Sequence, residues 1–219
     1  MKRLQLVAAA VAAALVAPPL RHALESSMTA HMLLQIPLLV LCGALLANWP
    51  APVRERLARW NSHGIAGLFA VALATALLMA PRLLDLAVAD WRIDAAKAAV
   101  ALLCGAALRL SWRPAGAVVQ GFFLGNVLPM MAAVGQLYQD SPLRLCNAYL
   151  LGDQVRLGQA LVAGSVVAGV AWFTALVVAL VRSQPREPAY DEAAGVQLTY
   201  DVRTPHDRMA HHAQRRTAQ

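Results

Sequence analysis

Six apolar runs occupy most of the first 181 residues, and a water-soluble fold has no second layer able to cover all of them. They lie near 4–20, 28–48, 64–81, 95–111, 115–138 and 158–181. A helix needs about 20 apolar residues to cross a hydrocarbon core, and each run reaches or approaches that length. Lipid offers the backbone no hydrogen bonds, and a helix satisfies its own. The expected fold is therefore all-α: a polytopic transmembrane helical bundle of about six spans over 1–181, with 182–219 as a cytoplasmic tail. Composition agrees, since 59% hydrophobic and 14% charged residues depart from the roughly 45–50% and 25% of soluble domains in the direction of a bilayer.

The first run, LQLVAAAVAAALVAPPL behind Met1-Lys2-Arg3, fits two readings. It is a retained span or a secretory signal with a basic start and an Ala-rich centre. The fourth run carries Arg92, Asp94 and Lys97 at its start and Arg109 at its end. Long cationic stems at such places are expected to reach toward the headgroups. The tail, with its prolines, charges and weak periodicity, reads as disordered.

Nineteen Lys and Arg against twelve Asp and Glu give a net charge of +7. In a membrane protein the position of that surplus matters more than its size. With the amino terminus inside, Lys2, Arg3, Arg54, Arg56, Arg59, Arg109, Arg113 and six tail arginines face the cytoplasm. The outer loops hold Glu25, Asp85, Asp90, Asp94, Asp140 and Asp153 among fewer cations. Cytoplasmic loops concentrate Lys and Arg, so both termini are expected inside a bacterial inner membrane. The lipid bilayer is thus the expected partner, and nucleic acid is not.

Several enzyme classes are excluded by pattern. GxGxxG, GxxxxGK[ST] and HExxH do not occur, and no serine–histidine pair has a third partner for a hydrolase triad. Cys42, Cys104 and Cys146 form no CxxC, and an odd count cannot pair fully within one chain. A non-enzymatic role is expected.

Polar residues within apolar runs are the candidate functional groups, because each costs free energy unless it faces the bundle interior. In ESSMTAHMLLQIPLL, Met28, His31, Met32 and Gln35 stand at i, i+3, i+4 and i+7 on one helical stripe. Imidazole and thioether together suit copper, thioether favouring the cuprous ion. The alternative is that His31 bonds a neighbouring helix while the methionines fill gaps. Met130 and Met131 follow Pro129 at a comparable depth, and Met130 is a candidate to complete a metal site. Cys146 lies in QDSPLRLCNAYLLGDQVRLGQALV (139–162), a connection too apolar for a plain loop. It is expected to lie in the interface or dip into the membrane, its thiol binding copper, exchanging with a partner, or staying inert. Gln35, Asp85, Asp153 and Gln154 are expected to shape the outer mouth.

Two of these stretches carry a family resemblance. AHMLLQIPLL (30–39) and GDQVRLGQALV (152–162) resemble the best-marked segments of the CtaG family, multi-span membrane proteins linked to cytochrome c oxidase assembly and its copper centre. His31 and Met32 resemble that family's histidine–methionine motif, while Gln35 stands where a further histidine is expected. Asp153, Gln154 and Gly158 resemble its Asp-Gln pair followed by glycine. The resemblance implies an accessory factor for respiratory oxidase assembly that handles copper at the outer leaflet, with oxidase subunits or a copper chaperone as partners. A small transporter or permease, or a structural subunit of a membrane complex, are the other functions the residues allow.

Overall fold

The computed structural model describes residues 2–146 and 149–183. Among them every regular element is helical. The helices are α1 (Lys2–Val16), α2 (Pro18–Glu25), α3 (Met28–Leu46), α4 (Ala51–Trp60), α5 (Ile65–Leu78), α6 (Pro81–Ala89), α7 (Trp91–Asp140) and α8 (Leu151–Ser183). The tail expected to be disordered lies outside the described residues, apart from its first two.

All six apolar runs fall in helices, but their breaks differ from the sequence expectation. Three helices, α3, α7 and α8, are long and apolar enough to cross a membrane, or up to five spans if each bent pair is counted as one. The first run is broken at Ala17, and α1 and α2 meet at 65°. Pro18 and Pro19 explain the break, because they remove two amide donors from the helix ladder. The third run, α5, forms a bent pair with α4 at 84°. Gly64 turns that corner at φ +69°, and a methyl group there would strike the carbonyl oxygen of Ser111. Asn61 ties the corner down by donating to Ser111 Oγ at 2.8 Å and accepting from Gly67 N at 3.1 Å.

The fourth and fifth runs form the two arms of α7, divided where Gly116 leaves helical geometry at φ 63°, ψ 174°. Pro114 lies just before this break, and Gln120 Nε2 reaches back to donate to Trp112 O at 2.7 Å. Pro129 leaves no such break, since Gly116 is the position in α7 with non-helical angles. The last helix starts at Leu151 rather than near 158, so the second half of the segment expected to lie in the interface is its first turns.

Side-chain distribution is compatible with a lipid-facing bundle. Large apolar side chains such as Phe69, Val118 and Phe122 point outward, 70%, 86% and 75% exposed. Glu25, His31, Gln35, Asp94, Lys97 and Gln154 are buried. Small residues allow close crossing at the centre. A methyl at Gly43 would strike Leu102 O, and one at Gly105 would strike Val40 O, so α3 meets the first arm of α7 backbone to backbone. Gly135 and Gly158 bring α7 and α8 together in the same way, each facing the other's carbonyl oxygen.

Candidate functional site

The site begins with a local defect in α3. Residues His31–Gln35 form a π turn, with Ile36 N bonded to His31 O. Pro37 follows directly and lacks the amide that an unbroken ladder requires, so one widened turn accommodates it. Met28, His31, Met32 and Gln35 are all buried, at 0%, 0%, 7% and 2% exposure. The two methionines enter one cluster, His31 enters a second made of charged side chains, and Gln35 bonds a backbone carbonyl outside both.

The polar cluster joins α2, α3 and the start of α7. Lys97 Nζ lies 2.8 Å from His31 Nε2 and 2.7 Å from Asp94 Oδ1. Arg21 Nε is 3.0 Å from both Glu25 Oε2 and Asp94 Oδ2, and Arg21 Nη2 donates to Ala87 O at 3.4 Å. Glu25 Oε1 stands 3.8 Å from Lys97 Nζ and 3.9 Å from His31 Nδ1, too far for a hydrogen bond to the ring. Two cations and two carboxylates thus cancel within a closed group. With Lys97 as an ammonium, His31 Nε2 must accept, which places the ring proton on Nδ1, facing Glu25. Nδ1 has no hydrogen-bond partner among the described residues. Lys97 therefore does not reach to the headgroups as expected; it and Asp94 are 4% and 2% exposed because neutralisation inside the bundle replaces hydration.

Gln35 does not shape an open mouth. Its Nε2 donates to Leu15 O at 3.0 Å. The usual partner of that carbonyl is the amide four residues on, which is Pro19 and has no hydrogen. Gln35 supplies the missing donor and holds the α1–α2 bend against α3.

The second cluster is rich in sulfur. Met28, Met32 and Cys146 pack with Tyr138, Tyr149, Leu157 and Leu161, and Met79 and Met131 lean against them. Of the tandem methionines it is thus Met131 that packs against this group, while Met130, the one expected there, is half-buried outside it. The two differ by one residue, about 100° around a helix. The Cys146 thiol is within 3.8 Å of Pro81 O, and burial followed by the Asp85 charge pushes it up to about 12. Burial also raises the Tyr149 phenol. The Tyr149 ring lies 6.4 Å from that of His31, so the two clusters adjoin.

Gln154 fastens the connection above this cluster. Its Nε2 donates to Tyr138 O at 3.1 Å and Leu143 O at 3.4 Å, while Oε1 accepts from Leu145 N at 2.9 Å. Tyr138 adds a bond from its hydroxyl to Met79 O at 3.2 Å. Asp153 lies on the outer side of the same turn, 4.0 Å from exposed Arg156. Asp85, on α6, contributes its charge beside Cys146.

The donor chemistry suits one class of ion. No group of three or more His, Cys, Asp or Glu able to hold a metal is present among the described residues. The gathered thioethers fit a cuprous ion, which favours soft sulfur, better than a divalent ion seeking imidazole or carboxylate. His31 can join them only by leaving Lys97. Sequence reasoning missed Arg21, Glu25, Asp94 and Lys97 as one unit. The available signal was Arg21/Glu25 at i, i+4 and Asp94/Lys97 at i, i+3, two opposite-charge pairs beside apolar runs.

No family model, curated protein or solved structure matches the chain. What the fold defines is a class: an all-helical protein whose longest helices have membrane-spanning length and composition.

Proposed function

We propose that this chain is a multi-pass protein of the bacterial inner membrane with about six spans and both termini cytoplasmic, serving as a non-enzymatic accessory factor in respiratory oxidase assembly. Its cargo is cuprous copper, taken at the outer leaflet. The observation that carries this reading is the gathering of Met28, Met32 and Cys146 in one buried cluster with half-buried Met79 and Met131 packed against it. The resemblance of AHMLLQIPLL and GDQVRLGQALV to the CtaG family supports it, and oxidase subunits or a copper chaperone are the corresponding partners. Two arms of α7 divided at Gly116 are counted here as separate spans.

Met28 and Met32 are the first ligands on this reading, with Met131 replacing Met130 as the residue to complete the set. Cys146 packs beside these thioethers and would join them as a ligand on yielding its proton to the solvent. The test loads the detergent-purified full chain with cuprous ion under reducing conditions and measures copper per chain. Near-stoichiometric copper that is lost in Met28→Leu/Met32→Leu is the expected result. A wild-type chain that retains none overturns the proposal.

The buried Arg21–Glu25–His31–Asp94–Lys97 group favours a second reading, a small transporter coupled to protons or ions. Ionisable residues at such depth commonly mark transport paths or proton relays. Uptake by reconstituted vesicles separates it from the first. A structural subunit would show neither uptake nor copper.

A further inference from the structure

At the opposite end of α3 from His31, the bundle opens into a cavity of about 740 Å³ between α4, the end of α3 and the last turns of the first α7 arm. Arg54, Arg109 and Arg113 line it, and no carboxylate does. None of the three forms an ion pair among the described residues. Arg109 is already oriented, because Nη1 donates to Ala44 O at 2.9 Å, a carbonyl of the last turn of α3. Its remaining donors stay available to a ligand.

The helix beside the cavity has the character of an interfacial element. Among its ten residues α4 buries none. Arg54, Arg56 and Arg59 outweigh Glu55, and Val53, Leu57 and Trp60 are exposed apolar groups, Trp60 at 85%. Cations interleaved with apolar groups and tryptophan suit the headgroup boundary. Trp49 and Trp60 line the cavity mouth, and Leu103 and Leu110 continue it along α7. Leu103 is 63% exposed, so the apolar wall runs from the arginines out onto the lipid-facing surface.

We infer that this cavity is a binding site for one anionic phospholipid. Arg54, Arg109 and Arg113 hold the phosphate group, and the acyl chains descend along Leu110 and Leu103. Three guanidiniums fit phosphate oxygens by forked hydrogen bonds, whereas a zwitterionic lipid brings an ammonium into the same positive field. The inference goes beyond copper handling and stands whether or not the sulfur cluster takes metal.

The test uses the full chain, delipidated in mild detergent and titrated with dioleoyl phosphatidylglycerol, dioleoyl phosphatidylcholine or inorganic phosphate. Native mass spectrometry counts bound lipid. One tightly retained phosphatidylglycerol is expected, with phosphatidylcholine at least tenfold weaker and inorganic phosphate unable to displace the lipid. Arg54→Gln/Arg113→Gln should weaken phosphatidylglycerol at least tenfold, while Arg92→Gln, outside the cavity, should leave it unchanged. Neither Arg54 nor Arg113 makes a side-chain bond within the described residues, so this pair tests the site even if Arg109→Gln fails to fold. Equal retention of the two lipids, equal retention by the double variant, displacement by inorganic phosphate alone, or no retained lipid would each overturn the inference.

Discussion

Lys97 Nζ sits 2.8 Å from His31 Nε2, joining the first arm of α7 to the π turn of α3 inside an apolar bundle. The same ammonium is 2.7 Å from Asp94, whose other oxygen is 3.0 Å from Arg21. His31 is thus the neutral member of an otherwise self-cancelling group of charges, and its chemistry depends on residues distant in sequence.

Lys97→Met should be among the most destabilising single substitutions in the chain. It leaves a buried excess of negative charge, and breaking one side of such a group costs about 3–5 kcal/mol. Thermal unfolding in detergent should show the loss. Lys97→Met/Asp94→Asn should recover a substantial part of it, since neutrality returns. A double variant no more stable than the single one would contradict the charge-balance account.

Gln35→Leu should weaken the α1–α2 corner without touching the sulfur cluster. The substitution leaves Leu15 O without a donor, at a cost of about 1–3 kcal/mol. Hydrogen exchange across residues 12–25 should quicken more than exchange in α8. Uniform quickening throughout would place the role of Gln35 elsewhere.

Cys146 links stability to alkaline pH. Its thiol is raised from the usual 9.0 to about 12 by burial and then by the charge of Asp85. Below pH 9 both folded and unfolded chains keep the proton, so this group does not alter their balance. Above it the unfolded chain ionises first, and stability falls progressively until pH passes about 12. Denaturation between pH 8 and 11 should therefore be steeper in wild type than in Cys146→Ala, and alkylation of the folded thiol should stay slow across that range.

Gly158→Ala should loosen the crossing of α7 and α8. The added methyl would strike Gly135 O, which is backbone and cannot turn aside. Overpacking of this kind costs about 1–3 kcal/mol. A melting temperature equal to wild type would show that the helices separate at little cost. Gly164→Ala, where a methyl meets nothing within 4 Å, serves as the control.

The helical class and the location of each apolar segment were legible because continuous hydrophobicity and helix length leave few alternatives. Met28, Met32 and Cys146 were candidates from the sequence, and the structure packs them in one hydrophobic cluster. The breaks were less legible. Pro114 and Pro129 both interrupt the amide ladder of α7, but the departure from helical angles falls at Gly116, near Pro114. The partition of the stripe was hidden because an i, i+3, i+4, i+7 spacing puts residues on one face without telling which neighbouring helix each side chain meets. Lys97 read as a residue reaching for headgroups, since nothing local reveals that Glu25, His31 and Arg21 converge on Asp94 and Lys97. Those contacts connect α2 and α3 to α7 across about seventy residues and exist only in three dimensions.

That separation has a consequence for the order in which the fold can be completed. Arg21 and Glu25 emerge from the ribosome well before Asp94 and Lys97, yet the two pairs are neutralised jointly and buried together. The amino-terminal segment has its own i, i+4 pair to travel with, but its final seat is completed by a later part of the chain. If the helices span a membrane as proposed, their insertion would not be a sequence of independent crossings, and a chain truncated before residue 94 would lack the partners with which Arg21 and Glu25 are buried.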